Sequence, residues 1–236
     1  MTPLDLRLLL VRLLRAISFL ALLWPGTLPI ARAQPANFAG VMGGISALKA
    51  DAITVPASGV LDASAYKPEN GPAVRVFAGR HFSDYFAAEV HYGWMRNDLT
   101  LSSIRPSAGP EVFYEQDRNG AQHTVMAEML LYFRRRDRAI RPYLSAGGGP
   151  VFFRSGSDTI RETRGMPELA PGDINSTKAA LRVAVGIDIV VGRGWALRYS
   201  FSETILNGNP ISERLTPAAK RDLANFENLV GFVKTF

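Results

Sequence analysis

The chain has 236 residues, 47% of them hydrophobic and 20% charged, which is enough for one domain or two small ones. Its 13 Phe, 7 Tyr and 3 Trp exclude a disordered polymer, and the absence of Cys excludes disulfide frameworks, thiolate metal sites and cysteine nucleophiles. The formal charge of +6 falls to +3 once the first 33 residues are set aside, because Arg7, Arg12, Arg15 and Arg32 stand there against Asp5 alone. The remaining Lys and Arg are scattered and do not line one stripe, so no nucleic-acid partner is expected.

The chain opens with the basic residues Arg7, Arg12 and Arg15, followed by the apolar run of residues 16–24 (AISFLALLW). Pro25-Gly26 breaks that run, and Ala31-Arg32-Ala33 then places small residues at the first and third positions before Gln34. This order is that of a secretory signal peptide cleaved after Ala33. A membrane anchor needs roughly 18 uninterrupted apolar residues, and Arg12 and Arg15 cut this stretch short. The reading gives two parts: a signal peptide at 1–33 and a single domain at 34–236.

Beyond residue 33 helical periodicity is almost absent, and alternation with period two recurs. Candidate strands run over 38–48, 73–81, 86–97, 122–133, 142–154, 179–191, 195–204 and 225–236. These are about eight segments of roughly 9–13 residues, near the length of a tilted strand that crosses a bilayer. Short links at 81–86, 134–141 and 191–195 alternate with long ones at 49–72, 98–121, 155–178 and 205–224. Outer-membrane barrels alternate in this way, with short periplasmic turns and long external loops. The fold expected is all-β: a closed, antiparallel, up-and-down transmembrane β-barrel of about eight strands.

Within 179–191, Leu181, Val183, Val185, Ile187, Ile189 and Val191 share one face, opposite Arg182, Ala184, Gly186 and Asp188. Glu128 shares a face with Gln122, Thr124 and Met126; Arg198 lies with Ser200 and Ser202; Glu89 lies with His91. A soluble sheet also alternates, so the pattern alone does not say which face meets what. In a membrane, a charge facing lipid costs about 2–4 kcal/mol near the midplane, so the charged faces are assigned to the lumen. Tyr92, Trp94, Trp195 and Tyr199, near strand ends, suit an interfacial aromatic girdle.

At this point the chain resembles the small outer-membrane β-barrel superfamily that includes OmpA-type transmembrane domains and opacity proteins. The resemblance covers about residues 36–236 and rests on two segments. Phe82-Ser83-Asp84-Tyr85-Phe86, leading into Ala87-Ala88-Glu89, is similar to the tight turn and acidic third strand common there. Residues 228–236 (NLVGFVKTF) resemble the terminal signal by which the assembly machinery recognises barrels, with Phe236, Phe232 and Val230 in place and Lys234 at a position more often apolar. The resemblance implies the outer membrane as location, its lipid and the barrel-assembly machinery as partners, a monomer, and Phe232 and Phe236 as the assembly signal.

No catalytic set emerges. His91 has Glu89 two residues away on the same face, but no Ser stands at a useful spacing, so no triad forms and no enzyme is expected. Asp158, Glu162 and Glu168 are scattered in a long link without ligand spacing, and Gly147-Gly148-Gly149 lacks the Lys and helix of a phosphate loop; no metal or cofactor is expected. The charged lumen set is Arg75, Glu89, Glu128, Arg182, Asp188, Arg198 and Glu227. An eight-stranded interior is just wide enough for side chains to fill, so these charges are read as a structural network of ion pairs, the alternative being a gated path. Three functions follow: a non-enzymatic barrel with a structural or loop-borne surface role, a small-solute channel, or a soluble exported barrel that binds an apolar ligand with its faces reversed. If cleavage follows Ala33, the intact mass of the exported protein corresponds to a chain starting at Gln34, and a mass retaining Met1 contradicts the signal peptide.

Overall fold

The computed structural model describes residues 36–49, 52–54, 63–105, 112–163, 173–210 and 223–236; the expected signal peptide lies outside them. Every regular element among them is a strand: β1 (Ala36–Lys49), β2 (Ala52–Thr54), β3 (Ala63–Pro68), β4 (Gly71–His81), β5 (Phe86–Arg96) and β6 (Leu99–Arg105). There follow β7 (Val112–Tyr132), β8 (Ile140–Thr163), β9 (Ile174–Gly192), β10 (Trp195–Leu206) and β11 (Ala224–Thr235).

Eight of these close on themselves in the order β7-β5-β4-β1-β11-β10-β9-β8, with β8 returning to β7, and all pairings are antiparallel. Closure between the first and last strands runs from Phe38↔Thr235 to Lys49↔Ala224. In hydrocarbon an open edge leaves backbone groups with no partner, so closure is what makes the sheet compatible with lipid. A path across the strands from Gln122 passes Met95, Ala73, Gly44, Leu229, Ser200, Gly186 and Tyr143, and returns to β7 at Tyr132, ten residues away. That stagger, over eight strands, tilts them by about 40° and leaves an interior that side chains fill.

Two inward glycines admit the bulk of their neighbours. A Cβ on Gly186 would lie 2.3 Å from the Tyr143 ring, and one on Gly147 would lie 2.0 Å from the Ala127 carbonyl oxygen and 2.7 Å from the Glu128 side chain. Only glycine lets a large side chain lie flat on the inner wall at these points.

The faces fall as the alternation indicates. Val183, Val185, Leu181, Val125, Met129 and Tyr199 point outward and are exposed, while Arg182, Ala184, Asp188, Glu128 and Arg198 are buried inside. A polar interior and an apolar exterior are the reverse of a soluble ligand-binding barrel, and that alternative falls. Even the outward Tyr199 hydroxyl has a partner, donating to Asn228 Oδ1 at 2.9 Å.

The long links are where the sequence reading needs correction. The stretch read as a link at 98–121 contains β6 and the first half of β7, that at 49–72 contains β2, β3 and the start of β4, and that at 155–178 holds the end of β8 and the start of β9. The 24 residues of β8 reach on the order of 60 Å along the axis at this tilt, against an apolar band about 25 Å tall. The wall therefore continues well past the membrane, with β6 on the upper part of β7 and β3 on β6. Asn97 explains the interruptions on this side: it sits between β5 and β6, and its amide donates to the carbonyls of Ser46 (3.0 Å) and Glu69 (3.1 Å), replacing ladder bonds at the break.

Val185→Arg sets a charge against hydrocarbon and is expected to cost about 2–4 kcal/mol or abolish insertion, whereas Ala184→Ser on the inner face is mild. Heat-dependent gel mobility of the membrane fraction checks this; equal behaviour of the two variants contradicts the face assignment.

Candidate functional site

The strand register creates an electrostatic problem inside the barrel. Glu89 on β5 and Glu128 on β7 are direct cross-strand partners, so two carboxylates lie side by side on one wall. Like charges in that position repel, and both side chains are buried. Each is matched by an arginine: from the opposite wall Arg198 Nη1 on β10 donates to Glu89 Oε2 at 2.8 Å, and Arg182 on β9 reaches past Gly147 of β8 to pair with Glu128. Ser145 Oγ adds a bond to Glu128 at 2.7 Å.

Arg198 is the hub of the lower tier. It reaches Asp188, its partner in the β9–β10 register, with both a 2.7 Å bond from Nε and a 2.9 Å bond from Nη2, a bidentate fork. Nη2 also donates to the Tyr132 hydroxyl at 2.8 Å, and that hydroxyl donates to Asp188 at 3.0 Å. The guanidinium lies over the rings of Phe77 (4.9 Å), Tyr143 (5.1 Å) and Phe38 (5.5 Å). Below it Arg141 stacks on Tyr132 at 3.9 Å and donates to the Asp84 carbonyl at 3.1 Å, which ties the β7–β8 side of the barrel to the turn after β4. In the middle tier Arg75 on β4 pairs with Glu227 on β11, bridging the two strands that flank β1.

All of the charged residues assigned to the lumen are buried, and each is ion-paired with another of the set. Sequence reading did not find Tyr132, Ser145 or Arg141, because a register between strands far apart in the chain is needed to see them. It set His91 on the face of Glu89, and both are buried inside; His91 Nδ1 also lies 3.4 Å from Glu128. Glu89, His91 and Glu128 bring potential ligand atoms within 4.8 Å of one another, but Arg182 and Arg198 already occupy the two carboxylates, so the donor set does not suit a cation.

A second closure, which the sequence reading missed, lies above the charges. Ser46 Oγ approaches Asn225 at 2.8 Å and Asn97 at 2.9 Å, and beyond them Leu48, Leu99, Met126, Val151, Phe153, Ile174, Leu206 and Leu223 form a buried apolar cluster. Here the alternation keeps its phase but exchanges its chemistry. Along β8, outward Leu144 and Phe152 give way to outward Arg154, while inward Tyr143 and Ser145 give way to inward Phe153. On β5 outward Trp94 gives way to outward Arg96 in the same way. At this level the outward positions turn from apolar to polar, and above the apolar cluster the interior is polar again, with buried Arg118 donating to Gln116 and Ser155; the outward change marks the upper limit of the apolar band. Phe236 and Phe232 sit exposed on the outer face at the other end of the last strand, where the Phe236 N–H donates to the Asn37 carbonyl at 2.9 Å.

A closed barrel with an apolar wall, a charged interior and short turns at one end is a transmembrane β-barrel of the outer-membrane kind. Residues 18–226 match the family model described as the outer membrane protein beta-barrel domain, and the chain belongs to that family. Among solved structures, Neisserial surface protein A matches with 14% identity over 85% of this chain and 97% of its own, at a TM-score of 0.50. The outer membrane protein OprG from Pseudomonas aeruginosa matches with 11% identity over 85% of this chain and 96% of its own, at 0.51. At those identities the likeness is one of fold. No curated protein sequence matches the chain.

Arg198→Met leaves Asp188 and Glu89 buried without their cation and is expected to cost about 3–5 kcal/mol. The heat-induced gel shift should move to lower temperature, and adding Asp188→Asn should recover part of the loss. No change in Arg198→Met shows that the hub does not hold the barrel together.

Proposed function

We propose that this chain is a non-enzymatic outer-membrane protein whose lumen charges are structural and whose work lies on the part of the wall that stands outside the membrane. One observation carries this reading: the lumen is closed twice, by the Arg198 hub below and the apolar cluster above, while β6 and the upper parts of β7, β8 and β9 continue beyond the apolar band. A barrel built only to anchor or to conduct does not require those extra residues. The role supported is a surface interaction presented on this extension of the wall. The lumen residues Arg75, Glu89, Glu128, Arg182, Asp188, Arg198 and Glu227 then act as cross-lumen ties. Export through a cleaved signal peptide, recognition of Phe232 and Phe236 by the barrel-assembly machinery, and a monomeric state belong to the same proposal.

A small-solute path is the second reading, and one feature favours it. Between the two closures Arg182 Nε and Nη2, Ser202 Oγ and Thr204 Oγ1 face the lumen with no protein partner among the described residues. A hydrated middle section follows from polar groups of this kind. The two readings separate in a planar bilayer. The structural reading expects no steady conductance from the folded full chain. A steady channel that Met126→Ala enlarges, by thinning the upper apolar cluster, selects the path and overturns the closed lumen.

A further inference from the structure

We infer that the outer face of the barrel carries a binding site for a phosphate-bearing lipid headgroup of the outer leaflet, centred on Arg154. A recess of about 630 Å³ opens there on the side of the wall formed by β7, β8 and β9, lined by His123, Phe152, Phe153, Arg154, Asn175, Ser176 and Thr177. The register explains its make-up. His123, Phe152 and Thr177 are successive cross-strand partners, and Arg154 and Asn175 pair one step higher on the same outward face. Two residues below His123 and Thr177 the wall is apolar, with Val125 and Ala179 outward and exposed. The recess therefore sits at the level where the outward chemistry changes from apolar to polar, the headgroup belt of the leaflet opposite the short turns.

The donor set is suited to an anion with several oxygens. Arg154 is exposed and makes no ion pair among the described residues, which leaves its whole fork available to a phosphate. The Tyr92 hydroxyl lies 2.6 Å from His123 Nδ1. When that hydroxyl donates, the ring carries its proton on Nε2 and has a second donor free. Asn175 and Thr177 add an amide and a hydroxyl, and no residue that lines the recess is acidic. Phe152, 39% exposed, and Leu181, 69% exposed, continue downward as an apolar surface on which an acyl chain can lie. A cation with no partner, neutral donors around it and an apolar runway leading into the bilayer together describe a phospholipid-like or glycolipid-like ligand. The inference needs only the orientation of the barrel and is independent of the surface role proposed above.

The test uses the folded full-length protein in neutral phosphatidylcholine nanodiscs, with retained lipid read by native mass spectrometry. The probes are bisphosphorylated lipid A, the same lipid stripped of its phosphates, and inorganic phosphate. The intact lipid is expected to bind, the stripped lipid to bind weakly, and inorganic phosphate not to displace the lipid at equal concentration. Arg154→Glu should weaken binding about tenfold or more, and Arg154→Lys, which keeps the charge without the fork, by a few-fold. Arg134→Glu, in the turn at the opposite end, should bind as the parent does. If Arg154→Glu does not fold, Asn175→Asp places an anion in the recess with Arg154 intact and should also weaken binding. Equal binding of the stripped lipid, or parental affinity in both recess variants, overturns the site. Displacement by inorganic phosphate shows that the recess takes a free anion, and overturns the lipid as occupant.

Discussion

Everything in this molecule depends on the pairing of the first strand with the last. Until Phe38 to Lys49 meet Ala224 to Thr235, two strand edges expose backbone groups that hydrocarbon cannot satisfy. Closure at a stagger of ten residues over eight strands also fixes the width of the lumen, and through it how much side chain must be packed inside. The interior chemistry is therefore a consequence of closure. In a lumen of this width no charge can keep a full hydration shell, so each has to find its complement on another strand.

The lumen charges also act on register. Sliding one strand by one residue turns its inner face into its outer face. For β10 that slip would carry Arg198 into lipid and bring Tyr199 inside; for β9 it would expose Arg182 and Asp188 in the same way. An interior of Leu and Val would make a slipped strand nearly as acceptable as the native one, since both faces would be apolar. The side-by-side carboxylates Glu89 and Glu128 extend this constraint around the circumference. They are tolerable only when β9 presents Arg182 along the wall and β10 presents Arg198 across the lumen, so β5, β7, β9 and β10 must reach their places together.

How much of this the sequence discloses depends on whether a feature is local. The faces of β9 are legible from residues 179–191 alone, because a strand's alternation is a property of its own residues. The identity of the charged lumen residues follows from the same alternation, but not their partners: that Glu128 meets Arg182, and not a nearer cation, is set by stagger. The extension of β7 and β8 past the membrane was read as links for a physical reason. Residues 112–121 and 155–163 are rich in Gly, Asp, Asn and Ser, which weaken strands in isolation, and they hold together here through pairing with one another. The apolar closure is not legible in the alternation, because the inward chemistry changes along a strand while the alternation itself continues.

That change of chemistry points to how the membrane is encoded. Strand phase holds from Tyr143 to Ser155 along β8, yet Tyr143 and Ser145 face inward below and Phe153 faces inward above, while Leu144 and Phe152 face outward below and Arg154 above. The doubled aromatic Phe152-Phe153 is the local mark of the change, one ring for the lipid edge and the next for the inner cluster. On β5 outward Trp94 likewise gives way to outward Arg96, and on β10 outward Phe201 gives way to Glu203. Above the headgroups water lies outside the wall, so outward positions turn polar there, while the apolar cluster and then buried Arg118, Gln116 and Ser155 fill the interior. The position of the exchange fixes the height of the bilayer on the wall. It also explains why polar donors and an apolar floor meet in one recess at Arg154, since a site that joins both chemistries can arise only where the pattern turns over.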